Sequence, residues 1–365
     1  MSVRLIWINR LLLPLLNILT AFAITGMVFW LIDVDPLVAM QLLLFGAFGY
    51  GEGIGYTLYY ATNFIFTGLA VAVAFHAGLF NIGGEGQAYL GGLGAGLLIL
   101  ALDPTLSAWL MLPAGIIGSL LFGALWALIP ACLQAYRGSH IVITTIMFNF
   151  LASALMVYLM VNVLRQPGQM TPQSIAFPTT AWMPFMHDMI GSMGMRVPPS
   201  PLNISLLVSL ACALMVWLFL WHTRWGYAIR TMGSNSMAAV YGGIKPTHII
   251  LLTMCISGAL AGLVGVNELM GYQHRLILDF HLGYGFAGIA VALMGRNHPL
   301  GIVMAALLFG VLYQGGAELA FELSNVSRDI VLVMQALVIL FCGALEFMYR
   351  PWLLRWLVIK GQDTS

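Results

Sequence analysis

Between Arg10 and Arg137 the chain carries no lysine or arginine. A water-soluble domain devotes roughly 25% of its residues to charge. This chain has 7% charged and 61% hydrophobic residues, with a mean hydropathy of +0.95. A third of the molecule without a cation cannot present an ordinary water-facing surface. The chain therefore reads as a polytopic membrane protein. With no water in the hydrocarbon to satisfy exposed backbone, and apolar runs of helical length, the fold class is all-α.

Runs of roughly 17–25 apolar residues mark candidate spans. They fall at 11–32, 62–80, 86–102, 106–130, 141–164, 201–221, 247–266, 281–295, 299–316 and 329–347, with a further half-helix over Val38 to Gly49. About ten spans place both termini on one side. With a cytoplasmic N-terminus, ten cations lie inside (Arg4, Arg10, Arg137, Arg224, Arg230, Lys245, Arg296, Arg350, Arg355 and Lys360). Four lie outside (Arg165, Arg196, Arg275 and Arg328). This asymmetry puts both termini in the cytoplasm. The run after Arg10 is too long for a signal-peptide core and is expected to remain as the first helix. Residues 1–365 are expected to form one transmembrane domain.

The most unusual polar stretch is Gly78-Leu79-Phe80-Asn81-Ile82-Gly83-Gly84-Glu85-Gly86-Gln87-Ala88. A carboxylate at or inside a membrane boundary is costly unless it faces protein, water or a partner. Four glycines let a helix break, and non-helical backbone at that depth needs protein or a cavity to cover it. The stretch is predicted to be a broken-helix, cavity-lining element. Asn81 and Glu85 either line the path or pin the break. Other polar residues inside the spans are His76, Asn149, Asn162, Asn267, Glu268, Gln273, His281 and Gln314. Singly, each is read as an interhelical hydrogen bond. Together they offer neutral donors and acceptors, which suit a neutral hydroxyl-rich or heterocyclic solute better than an ion. The substrate-pathway candidates are Asn81, Glu85, Gln87, His76, Asn149 and Gln314.

Two loops are sizeable. The outer one, 165–200, holds Pro167, Pro172, Pro178, Pro184, Pro198 and Pro199, a density that excludes a helix interior. It is expected to be an extended cap, either a docking surface or a lid. The inner one, 222–246, has an N-cap in Ser234 or Asn235, a short helix over Ser236 to Tyr241 and a stop at Gly242-Gly243. It reads as a cytoplasmic contact surface or a simple connector. Phe66 to Ala72 is echoed by Phe286 to Ala292, which reads either as the weak internal similarity of a transporter built from repeats or as the composition that membrane helices share.

Several chemistries are missing. Lys245 and Lys360, the only lysines, lie outside any phosphate-binding loop, so this chain is not expected to hydrolyse ATP by itself. No zinc-protease or nucleophile-elbow motif occurs. Cys132, Cys212, Cys255 and Cys342 lie in apolar segments without metal-ligand spacing. Asp33-Val34-Asp35 is better explained by an interfacial helix end than by a metal site. Catalytic residues, a metal and a cofactor bound by this chain are not expected.

The segments Gly78–Gln87 (GLFNIGGEGQ), Thr144–Asn149 (TTIMFN), Gly226–Ile244 (GYAIRTMGSNSMAAVYGGI), Ser257–Val264 (SGALAGLV) and Gly285–Gly295 (GFAGIAVALMG) resemble the permease subunits of ABC importers of the ribose, simple-sugar and nucleoside type, most of all the purine-nucleoside permeases. The resemblance implies a bacterial inner-membrane protein that pairs with a second permease subunit, copy or paralogue. It implies two cytoplasmic ATPase subunits that use the ATP, and an extracytoplasmic binding protein that delivers the solute. The 222–246 loop is then the ATPase-coupling segment, with Gly233, Asn235, Ala238, Ala239 and Gly243 as its key positions. The chain departs from the family at Ser139-His140, where an Asn-Glu pair is usual, and at Ser236-Met237, where an acid is usual. A secondary transporter or channel for a small neutral solute is the alternative; the shortage of titratable groups counts against it.

Overall fold

The computed structural model describes residues 33–323, apart from 195, 196 and 282, together with parts of 20–31 and 326–340. The expected spans at 11–32 and 329–347 lie largely outside these residues. The described part is helical, with no strand and only two isolated bridges. In chain order the helices are α1 (Pro36–Phe48), α2 (Gly51–His76), α3 (Gly84–Ala101), α4 (Ala108–Arg137), α5 (Ile141–Asn162), α6 (Met186–Ser192) and α7 (Ser205–His222). They continue with α8 (Arg224–Ser234), α9 (Ser236–Tyr241), α10 (Pro246–Gly262), α11 (Tyr284–Met294) and α12 (Pro299–Glu322). A π-helical segment, Val266–Gln273, carries α10 onward. Among the described residues six helices are long and apolar enough to cross a membrane, α10 with its π extension counting as one; α1 and α11 are shorter apolar helices.

The chain divides into two compact units, one of residues 1–53 and 311–365, the other of residues 54–310. In the first, Asp35 caps α1 by accepting from the Leu37 amide at 2.8 Å, and Pro36 fills the first helical turn, where a missing N–H costs nothing. This is the helix-end role expected for Asp35. Tyr50 donates to Glu318 at 2.8 Å.

The second unit is built around two buried helices. In α2, 83% of the most apolar window is inside the protein; in α10 and its extension, 67%. Helices that are apolar all round and buried form a core. By contrast α4, α5 and α7 turn large side chains such as Trp109, Leu121, Phe150 and Leu214 outward, as lipid-facing helices do. Where α3, α4 and α10 meet, backbone touches backbone. A Cβ on Gly91 would strike Gly262, and one on Gly258 would strike Gly123, so the small-residue spacing serves close packing. The echoed segments also touch: Gly288 packs on Thr67, and a Cβ on Gly68 would lie 3.0 Å from Val291.

Several predicted boundaries move. The span expected at 62–80 begins at Gly51 and stops at His76, and that expected at 106–130 continues to Arg137. The short span expected at 281–295 is the eleven-residue α11. The proline-rich segment after Arg165 runs without α-helix as far as Phe185, and the seven-residue α6 then interrupts the extended cap that was expected. The stretch before α6 is pinned by Ser174 N to Leu276 O (3.0 Å), Phe177 N to His274 O (2.7 Å) and Met183 N to Met270 O (2.9 Å). Trp182 stacks on His274 with ring centroids 3.9 Å apart.

Candidate functional site

The break between α2 and α3 follows from its glycines. Gly78 adopts φ 73°, a left-handed value that costs a residue with a Cβ. With Gly78 there, its own amide reaches Phe75 O and the Leu79 amide reaches Ala74 O, which closes the end of α2. The chain then runs without helix to Gly83, and α3 starts at Gly84.

Asn81 holds this break shut. Its amide nitrogen donates to Gln87 Oε1 and to Ser257 Oγ, both at 2.8 Å. Its oxygen accepts from the Gly83 amide (2.9 Å) and from Gln87 Nε2 (3.1 Å). Ser257, on α10, donates its own hydroxyl hydrogen bond to Ala70 O of α2 at 2.6 Å. Asn149 of α5 clamps the other side, accepting from Gly86 N and donating to Ile82 O, each at 2.9 Å. A buried amide group satisfied on both ends is a rigid fastener, because breaking one bond strands a desolvated partner.

Glu85 makes a longer connection. One carboxylate oxygen accepts from Gly283 N at 2.9 Å and the other from Gly285 N at 2.7 Å. These are free donors at the start of α11. His281 Nε2 lies 3.3 Å from the carboxylate, and its ring stacks on Tyr89 at 4.2 Å. Tyr89 Oη accepts from Asp279 N at 3.0 Å. Gly84 and Gly285 are in backbone contact, which a Cβ on Gly285 would prevent. The N-terminal ends of α3 and α11 therefore converge, and one internal carboxylate neutralises both positive helix ends.

The structure gathers Asn81, Glu85, Gln87 and Asn149 into this one cluster. His76 stands apart at the end of α2, 3.0 Å from Asn297 O and edge-on to Trp221. Gln314 belongs to the other unit, beside Tyr50. In the inner loop, Asn235 caps α9 by accepting from Ala238 N at 3.0 Å; Ala239 is buried, and Gly243 takes φ 82° as the helix ends. Gly233 packs directly on the backbone of His76 and Gly78, so a side chain there would collide with the His76 carbonyl. The hairpin of α8 and α9 thus touches the first residues of the break.

A second polar cluster was not among the candidates. Glu268, 2% exposed, lies in the π segment and accepts from Asn63 Nδ2 at 2.6 Å. Asn267 donates to Asn63 Oδ1 at 2.9 Å and accepts from Asn203 Nδ2 at 3.0 Å. The hydroxyls of Tyr59 and Tyr284 face the carboxylate. The signal available was the Asn267-Glu268 pair in an apolar run, together with Tyr59 and Asn63 at helical spacing on α2.

Residues 53–343 match the family described as branched-chain amino acid transport system / permease component. The chain is similar to the glucose ABC transporter permease protein of Haloferax volcanii, 35% identical over 92% of this chain and 88% of that one. It is also similar to the guanosine ABC transporter permease protein of Bacillus subtilis, 34% identical over 92% and 94% of the two chains. The nucleoside ABC transporter permease protein of Lactococcus lactis subsp. cremoris is 32% identical over 98% and 97%.

Proposed function

The chain belongs to the branched-chain amino acid transport system permease component family, and from that premise we propose that its solute is a neutral nucleoside or simple sugar, most closely a purine nucleoside. It is the membrane permease subunit of an ABC importer. One observation carries the solute class. Among the described residues the buried acids are Glu85 and Glu268, no lysine or arginine is buried, and the remaining buried polar groups are chiefly amides and hydroxyls. An interior so furnished stabilises hydroxyls and ring nitrogens and offers an anion no counter-charge. Relatives named for guanosine, nucleosides and glucose support the same class.

In this reading the chain crosses a bacterial inner membrane about ten times with both termini cytoplasmic. It works with a second permease subunit, cytoplasmic ATPase subunits and an extracytoplasmic binding protein. ATP is spent by the ATPase subunits. The hairpin of α8 and α9 receives their motion, with Gly233, Asn235, Ala238, Ala239 and Gly243 shaping it. Gly233 relays that motion to the end of α2, because nothing separates it from His76 and Gly78. Asn81, Glu85, Gln87 and Asn149 hold the break as one body, so that the pathway wall moves without melting.

The test is co-purification from the native membrane followed by reconstitution. Recovery of an ATPase subunit, and ATP-dependent uptake of labelled guanosine or glucose once the binding protein is supplied, is the expected result. A chain that elutes alone from several detergents and moves neither solute would overturn the proposal.

A further inference from the structure

We propose that the cluster around Glu268 is the point at which the solute's hydroxyl groups are recognised, a site for the polyhydroxyl ring shared by sugars and nucleosides. This rests on the importer reading above and adds to it a location and a chemistry.

Three observations meet at this cluster. First, Glu268 is a buried carboxylate in a membrane-crossing helix, where charge is costly and marks function by default. Among the described residues it is in no ion pair; the Asn63 side chain donates to it, and the hydroxyls of Tyr59 and Tyr284 face it. A carboxylate among neutral donors is equipped to accept from two adjacent hydroxyls, and the amides of Asn63, Asn267 and Asn203 can each donate and accept. Second, Glu268 lies in a π-helical segment, an arrangement that gathers at functional sites. The segment ends at His274 with φ 53°, a left-handed value at a residue bearing a Cβ. Third, aromatic rings lead outward from the cluster. Tyr59 packs on Tyr272 with centroids 5.6 Å apart, and Tyr272 is 43% exposed. Aromatic faces beside hydrogen-bonding side chains are what a sugar ring needs, an apolar face to rest on and polar edges to bind.

The contrast with the break points the same way. There the bonds of Glu85 and of Asn149 end on backbone, and Asn81 is consumed by Gln87, Ser257 and the Gly83 amide. Around Glu268 the carboxylate is held by the Asn63 side chain, and Asn63, Asn267 and Asn203 are joined side chain to side chain, although Asn267 and Asn203 are also tied to backbone at Tyr59, Pro201 and Ser205; the bond to Glu268 is the one a solute hydroxyl can replace when rotamers turn.

The experiment uses the whole importer in proteoliposomes, with guanosine against 2′-deoxyguanosine and glucose against 2-deoxyglucose. Each solute is supplied at a concentration that saturates the binding protein, so that its own preference drops out. The wild type is expected to move the fully hydroxylated member of one pair about tenfold faster, as one hydrogen bond to a charged group allows. Which pair responds tells nucleoside from sugar. Glu268→Gln is expected to reduce that preference to about twofold. If Glu268→Gln fails to assemble, Tyr272→Ala, at a half-exposed position, replaces it and is expected to raise the KM for the preferred pair several-fold with little change in the maximal rate. Wild-type uptake with the preference intact in Glu268→Gln, or with an unchanged KM in Tyr272→Ala, overturns the assignment and leaves the importer reading standing. No uptake of any of the four solutes by the wild type overturns both.

Discussion

Glu85 and Glu268 are alike in type and burial, yet they are held in opposite ways. Glu85 binds backbone amides at the start of a helix almost two hundred residues away, and those donors cannot turn aside. Glu268 binds an asparagine and faces tyrosines, whose side chains rotate. A carboxylate fixed by backbone is framework; one fixed by side chains is adjustable. The residue type alone does not separate a fastener from a recognition group. The nature of the partner does.

The contrast breaks most directly at Glu85. Replacing it by alanine strands two amides at the start of α11, at about 1–3 kcal/mol each. Glu85→Ala is expected to insert normally but to lose about a hundredfold in uptake, and formate in the assay buffer should restore part of it by refilling the two amides. Near-normal uptake by a well-expressed variant would show that the clamp is dispensable. Gly285→Ala comes next, because the new methyl meets the Glu85 backbone and forces α3 from α11. Overpacking of this kind costs about 1–3 kcal/mol, and the melting temperature of the purified subunit should fall by about 5 °C. An unchanged melting curve would mean that the two helix ends are not tightly joined.

Gly233→Ala asks whether the framework also transmits. The methyl group would push the hairpin off the end of α2, so the ATP hydrolysed per solute moved should rise about threefold while the fold survives. An unchanged ratio would reduce the hairpin to a connector. The smallest effect belongs to an acid outside the membrane. Asp103, fully exposed, accepts from the backbone amide and then from the hydroxyl of Thr105, and both hold its pKa below the ordinary carboxylate value. A lowered pKa means that its stabilising contribution is present at neutral pH and fades as pH falls through that value. Thr105→Ala should raise the Asp103 pKa, read by NMR titration of the labelled aspartates, and leave uptake unchanged.

Local signals were legible in the sequence and distant partners were not. The glycines and the lone carboxylate of Gly78–Gln87 announced a break, and Asn235 and Gly242-Gly243 announced α9 within a residue of its ends. The resemblance that these segments carry led to the family. Glu85, however, gives no sign that its partners are Gly283 and Gly285, since no local pattern encodes a bond across the fold. The π segment was hidden for another reason. A shift from i−4 to i−5 hydrogen bonding leaves the run of apolar residues unaltered, so 247–266 read as an ordinary span and Glu268 as one polar residue among several. The run at 62–80 started late because Gly51 to Ala61 is rich in tyrosine and glycine, which lowers its hydropathy without preventing a helix whose tyrosines pack inside.

The carboxylate between α3 and α11 also bears on what that junction can bind. Two helix beginnings that point together form a natural seat for a phosphate group, and a nucleotide or sugar phosphate would otherwise be drawn to it. Here the seat is taken by the protein's own side chain, whose charge repels a second anion. With Glu85 bonded to Gly283 N and Gly285 N, the junction of α3 and α11 keeps no vacant pair of amides for another anion.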